Sequence, residues 1–159
     1  MSYQAVILTV SDSCAAGTRT DTSGPAIRAM LENAGFAVQA MQTVPDEEGQ
    51  ISAAIVHACD ILQADLVVTT GGTGLSPRDV TPEATLAVLD REIRAIPVAM
   101  WVEGLKSTPR AMLSRAVAGT RGHTLVLNVP GSEKAARKNL RAVVATLDHA
   151  LRMLAGGGH

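Results

Sequence analysis

Three short stretches built on apolar runs limit what this chain can become: residues 5–10, 65–70 and 124–129. Each is shorter than an ordinary helix. Each lacks the alternation of a strand with one wet face, so each reads as a strand buried on both sides. A further stretch, residues 36–44, reads as a fourth strand. Between them the spacing switches to helical. Ile27, Met30, Leu31 and Ala34 form one stripe, and Ile51, Ala54, Ile55, Ala58 and Leu62 a second. Leu140, Val143, Val144, Leu147, Leu151 and Leu154 form a third, the longest. Strands alternating with helices imply an α/β sandwich around a mostly parallel sheet. The 159 residues suit a single domain. A domain of that size buries roughly 70% of its unfolded surface and needs no disulfide or metal to fold. We place the domain at residues 1–155 and a flexible glycine-rich tail at 156–159.

Punctuation fixes the joints. Thr22 or Ser23 offers a helix cap with Pro25 in the first turn, and Gly35 is the stop. Residues 45–49 form a turn into the second helix. Thr81 is expected to cap a helix with Pro82 at its first position and Glu83 at the positive end of the dipole. Pro97 and Pro109 bracket a helix at 98–106, residues 114–122 read as a short helix or a loop, and the last helix starts near Ser132. In parallel α/β sheets the ligand sits beyond the carboxyl ends of the strands. Residues 11–13, 45–47, 71–79 and 130–132 leave strands at that end, so parallel strands would gather them on one rim.

Composition removes several functions. Net charge is −1, with only Tyr3, Phe36 and Trp101 aromatic. That fits neither a broad phosphate-neutralising surface nor a row of base-stacking rings, so nucleic acid is not the expected partner. Cys14 and Cys59 form no Cys-x-x-Cys pair, and the histidines have no zinc-ligand spacing. The first apolar run is too short to span a bilayer and lacks the flanks of a secretion signal. The expectation is a soluble cytoplasmic protein with no membrane association.

The rim holds the chemistry. Gly71, Gly72 and Gly74 take side chains out of a strand-end turn, where backbone N–H groups can approach an anion; the same glycines serve equally as a tight turn. No Gly-Lys-Ser/Thr follows, and Pro77 breaks any dinucleotide fingerprint. Asp79, just before a helix, either favours the helix dipole or holds Mg²⁺, which takes one or two carboxylates beside substrate phosphates. Asp46 on its own turn poses the same choice. Ser114-Arg115 supplies a hydroxyl and a cation suited to phosphate oxygens, or a plain surface arginine. Ser11 and Ser13 either donate to a ligand or close the first loop. The basic run Lys134, Arg137, Lys138 and Arg141 reads as a solvated helix face, with an anionic ligand contact as the lesser reading.

Residues 70–74, Thr-Gly-Gly-Thr-Gly, followed by Pro77-Arg78-Asp79-Val80-Thr81-Pro82-Glu83-Ala84-Thr85, resemble the molybdenum-cofactor biosynthesis family. The likeness is strongest to its molybdopterin adenylyltransferases. Val10-Ser11-Asp12, Val44-Pro45-Asp46-Glu47, Ala111-Met112-Leu113-Ser114-Arg115 and Asn128-Val129-Pro130-Gly131 follow the family's order. The resemblance implies a three-layer α/β/α sandwich with a mixed, mainly parallel sheet, assembled as a homotrimer. It implies Mg²⁺-dependent transfer of AMP from ATP to the terminal phosphate of molybdopterin. It assigns Asp46 and Asp79 to Mg-ATP and turnover. Ser11, Asp12, Gly71, Gly72, Thr73, Gly74, Ser114, Arg115, Pro130 and Gly131 then fall to the pterin and nucleotide. A downstream molybdate-insertion protein is an implied partner. Gly104 departs from the serine of plant and animal relatives, and Ser132-Glu133-Lys134-Ala135 leans toward a paralogous branch. The alternative is a pterin carrier or scaffold that performs no transfer.

Overall fold

The computed structural model describes residues 2–158. Its sheet contains β1 (Gln4–Val10), β2 (Ala37–Val44), β3 (Leu66–Thr70), β4 (Arg91–Glu92), β5 (Ala118–Arg121) and β6 (Thr124–Val129). Their order is β2-β1-β3-β6-β5-β4. β2, β1, β3 and β6 run parallel; β5 is antiparallel to β6, and β4 to β5. The helices are α1 (Asp12–Ala15), α2 (Ser23–Asn33), α3 (Glu48–Val56), α4 (Thr81–Leu86), α5 (Ala95–Leu105) and α6 (Glu133–Leu154). A π turn, His57–Ile61, continues α3, and a 3₁₀ turn, Pro109–Leu113, follows α5.

Strand side chains alternate between the two faces of a sheet, and this sheet is covered on both. Ala5, Ile7, Leu66, Val68, Leu125 and Leu127 pack with Ile27 and Leu31 of α2, Met100 of α5, and Leu140, Val143, Leu147 and Leu151 of α6. Val6, Leu8, Val10, Val67 and Val126 face the other way, onto Ile51, Ala54 and Ile55 of α3 and Ala84 of α4. The result is a three-layer α/β/α sandwich with a mixed, mainly parallel sheet. Double-sided burial is why the strand runs carry no polar alternation.

Four local expectations change. Residues 114–122 are neither helix nor simple loop: Ala118–Arg121 is a strand, placed by its pairing with β6 across a turn at Gly122. α5 begins at Ala95, so Pro97 lies within its first turn instead of preceding it. The start of α2 is secured by Asp21, whose Oδ1 accepts from Gly24 N at 2.9 Å; neither Thr22 nor Ser23 caps it. Thr81 opens α4 without a side-chain cap bond, and its hydroxyl is buried with no partner among the described residues. Ser132 does cap α6, accepting from Ala135 N. At the far end Gly157 N donates to Arg152 O; His159 lies outside the described residues. Among the described residues no helix is long and apolar enough to cross a membrane.

Candidate functional site

Because β1, β2, β3 and β6 are parallel, their carboxyl ends share one rim. Ser11, Pro45-Asp46, Gly71 and Pro130 follow those four ends in turn. The lips are tightly laced. Ser11 N donates to Val44 O at 2.9 Å and Gly71 N to Val129 O at 3.1 Å. Thr70 Oγ1 donates to Pro130 O at 2.7 Å, which leaves Ser23 Oγ to donate to Thr70 Oγ1, also at 2.7 Å. A hydroxyl has one proton to give, so the direction of the second bond follows from the first.

The glycine loop is shaped by close approach. Gly71 has φ +102° and Gly72 φ +70°, a region side chains disfavour. A Cβ on Gly71 would lie 2.3 Å from Val10 O. One on Gly72 would lie 2.2 Å from Thr81 Oγ1 and 3.2 Å from Asp46 Oδ1. The bare Gly72 therefore opens a cradle where an orphaned hydroxyl and a carboxylate oxygen meet.

Asp46 and Asp12 lock two turns together. Asp12 N donates to Asp46 Oδ2 and Asp46 N to Asp12 Oδ1, both at 2.9 Å. Arg78 forks onto Asp12 at 3.0 and 3.1 Å and reaches Glu47 at 3.0 Å. That guanidinium holds the Asp12 carboxyl below its ordinary range. Asp46 is shifted upward, chiefly by burial and then by the neighbouring charges of Asp12 and Asp79, against the backbone bond from Asp12. Asp79 accepts from Ser76 N at 2.9 Å through Oδ2. Among the described residues, Asp46 Oδ1 and Asp79 Oδ1 accept no hydrogen bond.

This donor set fits a magnesium ion. Mg²⁺ takes one or two carboxylates and draws its other ligands from water and phosphate. Two free carboxylate oxygens, a surplus of negative charge and the open cradle at Gly72 meet that need. Among the described residues no group of three or more His, Cys, Asp or Glu forms a protein-only metal cage.

Arg115 lies in the irregular segment between the 3₁₀ turn and β5, and its guanidinium grips the loop itself. Nε donates to Gly74 O at 2.8 Å and Nη2 to Asp79 O at 2.7 Å, while Glu83 accepts at 2.6 and 3.2 Å. Arg115 N also donates to Thr73 O at 2.8 Å. The residue thus clamps both ends of the 74–79 segment. Motif reading gives Asn128 no role of its own. It is fully buried, accepts from Val117 N at 3.1 Å, and donates to Thr69 Oγ1 at 2.8 Å and Thr85 Oγ1 at 3.1 Å. It ties β6 to β3, to α4 and to the segment behind Ser114. Asp21 escapes motif reading likewise. It receives Thr9 Oγ1 at 2.7 Å and joins β1 to α2; its place three residues before Gly24 is the available signal.

Two clefts open on this rim. The larger, about 570 Å³, includes Thr73, Gly74, Ser114, Pro130, Ala111 and Leu113 in its walls. The smaller, about 370 Å³, is lined by Ser11, Cys14, Arg19, Asp21, Asp46 and Thr70, among others. Gly72, Asp79, Gly131 and Ser132 belong to both and form the ridge between them. Of the sequence candidates, Asp12 and Arg115 brace these walls and line neither cleft. Both cysteines are free thiols.

Residues 6–149 match a family model for a probable molybdopterin binding domain. The chain belongs to this family. The molybdopterin biosynthesis enzyme MoaB of Thermus thermophilus is 49% identical, with a TM-score of 0.92 over 97% of each chain. A molybdopterin adenylyltransferase of Helicobacter pylori strain J99 is 36% identical over 154 residues, covering 94% of this chain and 86% of the relative. The molybdenum cofactor synthesis protein cinnamon of Drosophila melanogaster is 39% identical over 93% of this chain. Several such relatives are much longer. The chain spans 25% of cinnamon, 22% of the gephyrin of Dictyostelium discoideum and 49% of a bifunctional protein of Chlorobaculum tepidum. Within the family frame, Gly104 has a local reason. It is buried in α5, and a Cβ there would lie 2.9 Å from Ala111 Cβ, so a serine would push the 3₁₀ turn outward.

Proposed function

We propose that this chain is a molybdopterin adenylyltransferase, joining the AMP part of ATP to the terminal phosphate of molybdopterin and releasing pyrophosphate. The observation that carries the reading is the shared ridge: two clefts meet at Gly72, Asp79, Gly131 and Ser132, with Asp46 beside them. A transfer between two bound substrates needs two sites with one border. The large cleft, with Ala111, Leu113 and Ala135 in its walls, suits a flat heterocycle. The small cleft, with Ser11, Arg19, Thr20, Asp21 and Ser23, suits the polar sugar and phosphates of a nucleotide.

The phosphate oxygen of the pterin attacks the α-phosphorus of ATP, and the bond to pyrophosphate breaks. Such a reaction asks the protein for alignment and charge control more than for a nucleophile. The open backbone of the glycine loop receives phosphate oxygens. Asp46 and Asp79 would hold Mg²⁺, which neutralises phosphate charge and orients the two reactants. Arg78, through Asp12, keeps the Asp46 turn in place, and Arg115 fixes Asp79. Ser114, Pro130 and Gly131 border the pterin side. We assign the product to a downstream molybdate-insertion protein and the working form to a cytoplasmic homotrimer. The exposed Val98, Val102 and Leu105 of α5, with Met112 and Leu113 beside them, support an association surface.

The test is an assay of purified protein with molybdopterin and Mg-ATP, following adenylylated pterin and pyrophosphate. Asp46→Asn and Asp79→Asn should each lower turnover about 100-fold or more, the scale of losing one charge-stabilising group, with folding intact. Tight pterin binding without product from the unaltered chain would make it a carrier.

A further inference from the structure

The chain has 14 lysines and arginines. Among the described residues eight of them pair with a carboxylate, which leaves six. Those six are not scattered evenly. Arg19 lines the small cleft, and Arg110, Lys134 and Lys138 line the large one. Asp79, on the ridge, is the one carboxylate among the described residues lining the large cleft.

The three cations come from opposite walls. Lys134 and Lys138 stand one turn apart at the start of α6 and therefore share a face. Arg110 stands on the 3₁₀ turn. Lys138 Nζ donates to Ser107 Oγ, so the two walls meet at that point. The N-terminus of the 22-residue α6 adds its own partial positive charge beside Lys134. Three like charges around one apolar-floored cavity repel one another, and an anionic occupant removes that penalty.

The reacting phosphate does not fill this role, because its place is on the ridge with the glycine loop and Asp79. Molybdopterin carries a second anionic group, its ene-dithiolate, on the same side of the molecule as the phosphate. We infer that Arg110, Lys134 and Lys138 form an anion subsite for the ene-dithiolate of the substrate. The inference rests on the function proposed above. The cations act by charge and by N–H···S hydrogen bonds, and no covalent bond is made or broken. The subsite makes the protein selective for pterin that already carries both sulfurs.

Calorimetric titration under reducing conditions, without ATP, tests it with two probes: molybdopterin, and molybdopterin whose thiolates are capped by alkylation. The unaltered chain should bind the free form about tenfold more tightly than the capped form, the scale of one charge-assisted hydrogen bond. Lys134→Gln and Lys138→Gln should each weaken the free form several-fold to tenfold and leave the capped form within about twofold, so that the preference collapses. Lys138→Arg should keep it. Melting temperatures confirm that these exposed or half-buried changes leave the fold intact. Equal weakening of both probes would overturn the subsite, since the lysines would then act on the phosphate. Unchanged affinity for both would overturn it too. Failure of the unaltered chain to bind either probe would instead overturn the proposed function, and the subsite with it.

Discussion

Asp46 is ionised at a cost to the fold, and that cost is tied to its use. Its folded carboxyl titrates above the ordinary value of 3.8, with burial as the leading cause and the charges of Asp12 and Asp79 adding to it. A raised acid holds its proton longer when folded than when unfolded. Stability therefore falls as pH climbs from 3.8 through the raised value, and then levels off. Asp46→Asn removes the charge but keeps an oxygen to accept from Asp12 N. In metal-free calorimetry across the acid-to-neutral range it should melt higher than the parent at neutral pH and converge with it in acid. Asp12 has the opposite sign. The Arg78 bond lowers its pKa, so its contribution is present above 3.8 and is lost as pH falls through the lowered value. Asp12→Asn should melt lower than the parent at neutral pH and converge in acid. A lower neutral melting temperature for Asp46→Asn would mean that its charge stabilises the fold and is not held ready for a cation.

At the scale of elements, the site stands on buried polar ties between strands and helices. Asn128 accepts from Val117 N and serves two threonines, and alanine there strands the buried Val117 N–H and the Thr69 hydroxyl, while Thr85 Oγ1 keeps its bond to Thr81 O. An unsatisfied buried group costs about 1–3 kcal/mol. Asn128→Ala should therefore lose roughly 2–3 kcal/mol, or about 5–10 °C of melting temperature for a chain this long. Thermal unfolding of the variant checks this directly. Three of the parallel strands, β1, β3 and β6, were legible because double-sided burial leaves a largely apolar stretch with no alternation; β2 is the edge strand and is exposed or half-buried along most of its length. Their shared rim follows from the parallel rule, which puts Asp46, Gly71–Gly74 and Asp79 at one end of the sheet. β5 was not legible, because residues 118–121 contain a glycine, a threonine and an arginine, and only pairing with β6 makes them a strand. The clamp made by Arg115 was hidden for a related reason. It depends on which groups tertiary packing leaves without a partner, and local spacing carries no record of that. Asp21 differs, since its cap on Gly24 is a local bond whose spacing the sequence does carry.

For the whole molecule, the decisive fact is that neighbouring strands supply both lips of the ridge. β3 ends at Thr70 and leads into Gly71; β6 ends at Val129 and leads into Gly131, and the two lips nearly touch. A Cβ on Gly131 would lie 3.2 Å from Gly71 Cα, closer than ordinary van der Waals contact. Gly131→Ala must then spread the lips by a few tenths of an ångström, because the atom it meets is backbone and cannot swing aside. The ridge borders both clefts, so one methyl group should disturb two ligands at once. We expect the variant to bind molybdopterin and a non-hydrolysable Mg-ATP analogue several-fold more weakly, in separate titrations. The lips also give the clefts a physical connection. If occupancy of one settles the ridge for the other, each ligand must sharpen the affinity of its companion by the same factor, as linkage requires. Titrating each ligand with and without the other measures that factor in both orders, and Gly131→Ala should bring it toward one. A variant that loses only one ligand, with the other unchanged, would show that the clefts share residues without sharing a mechanical border.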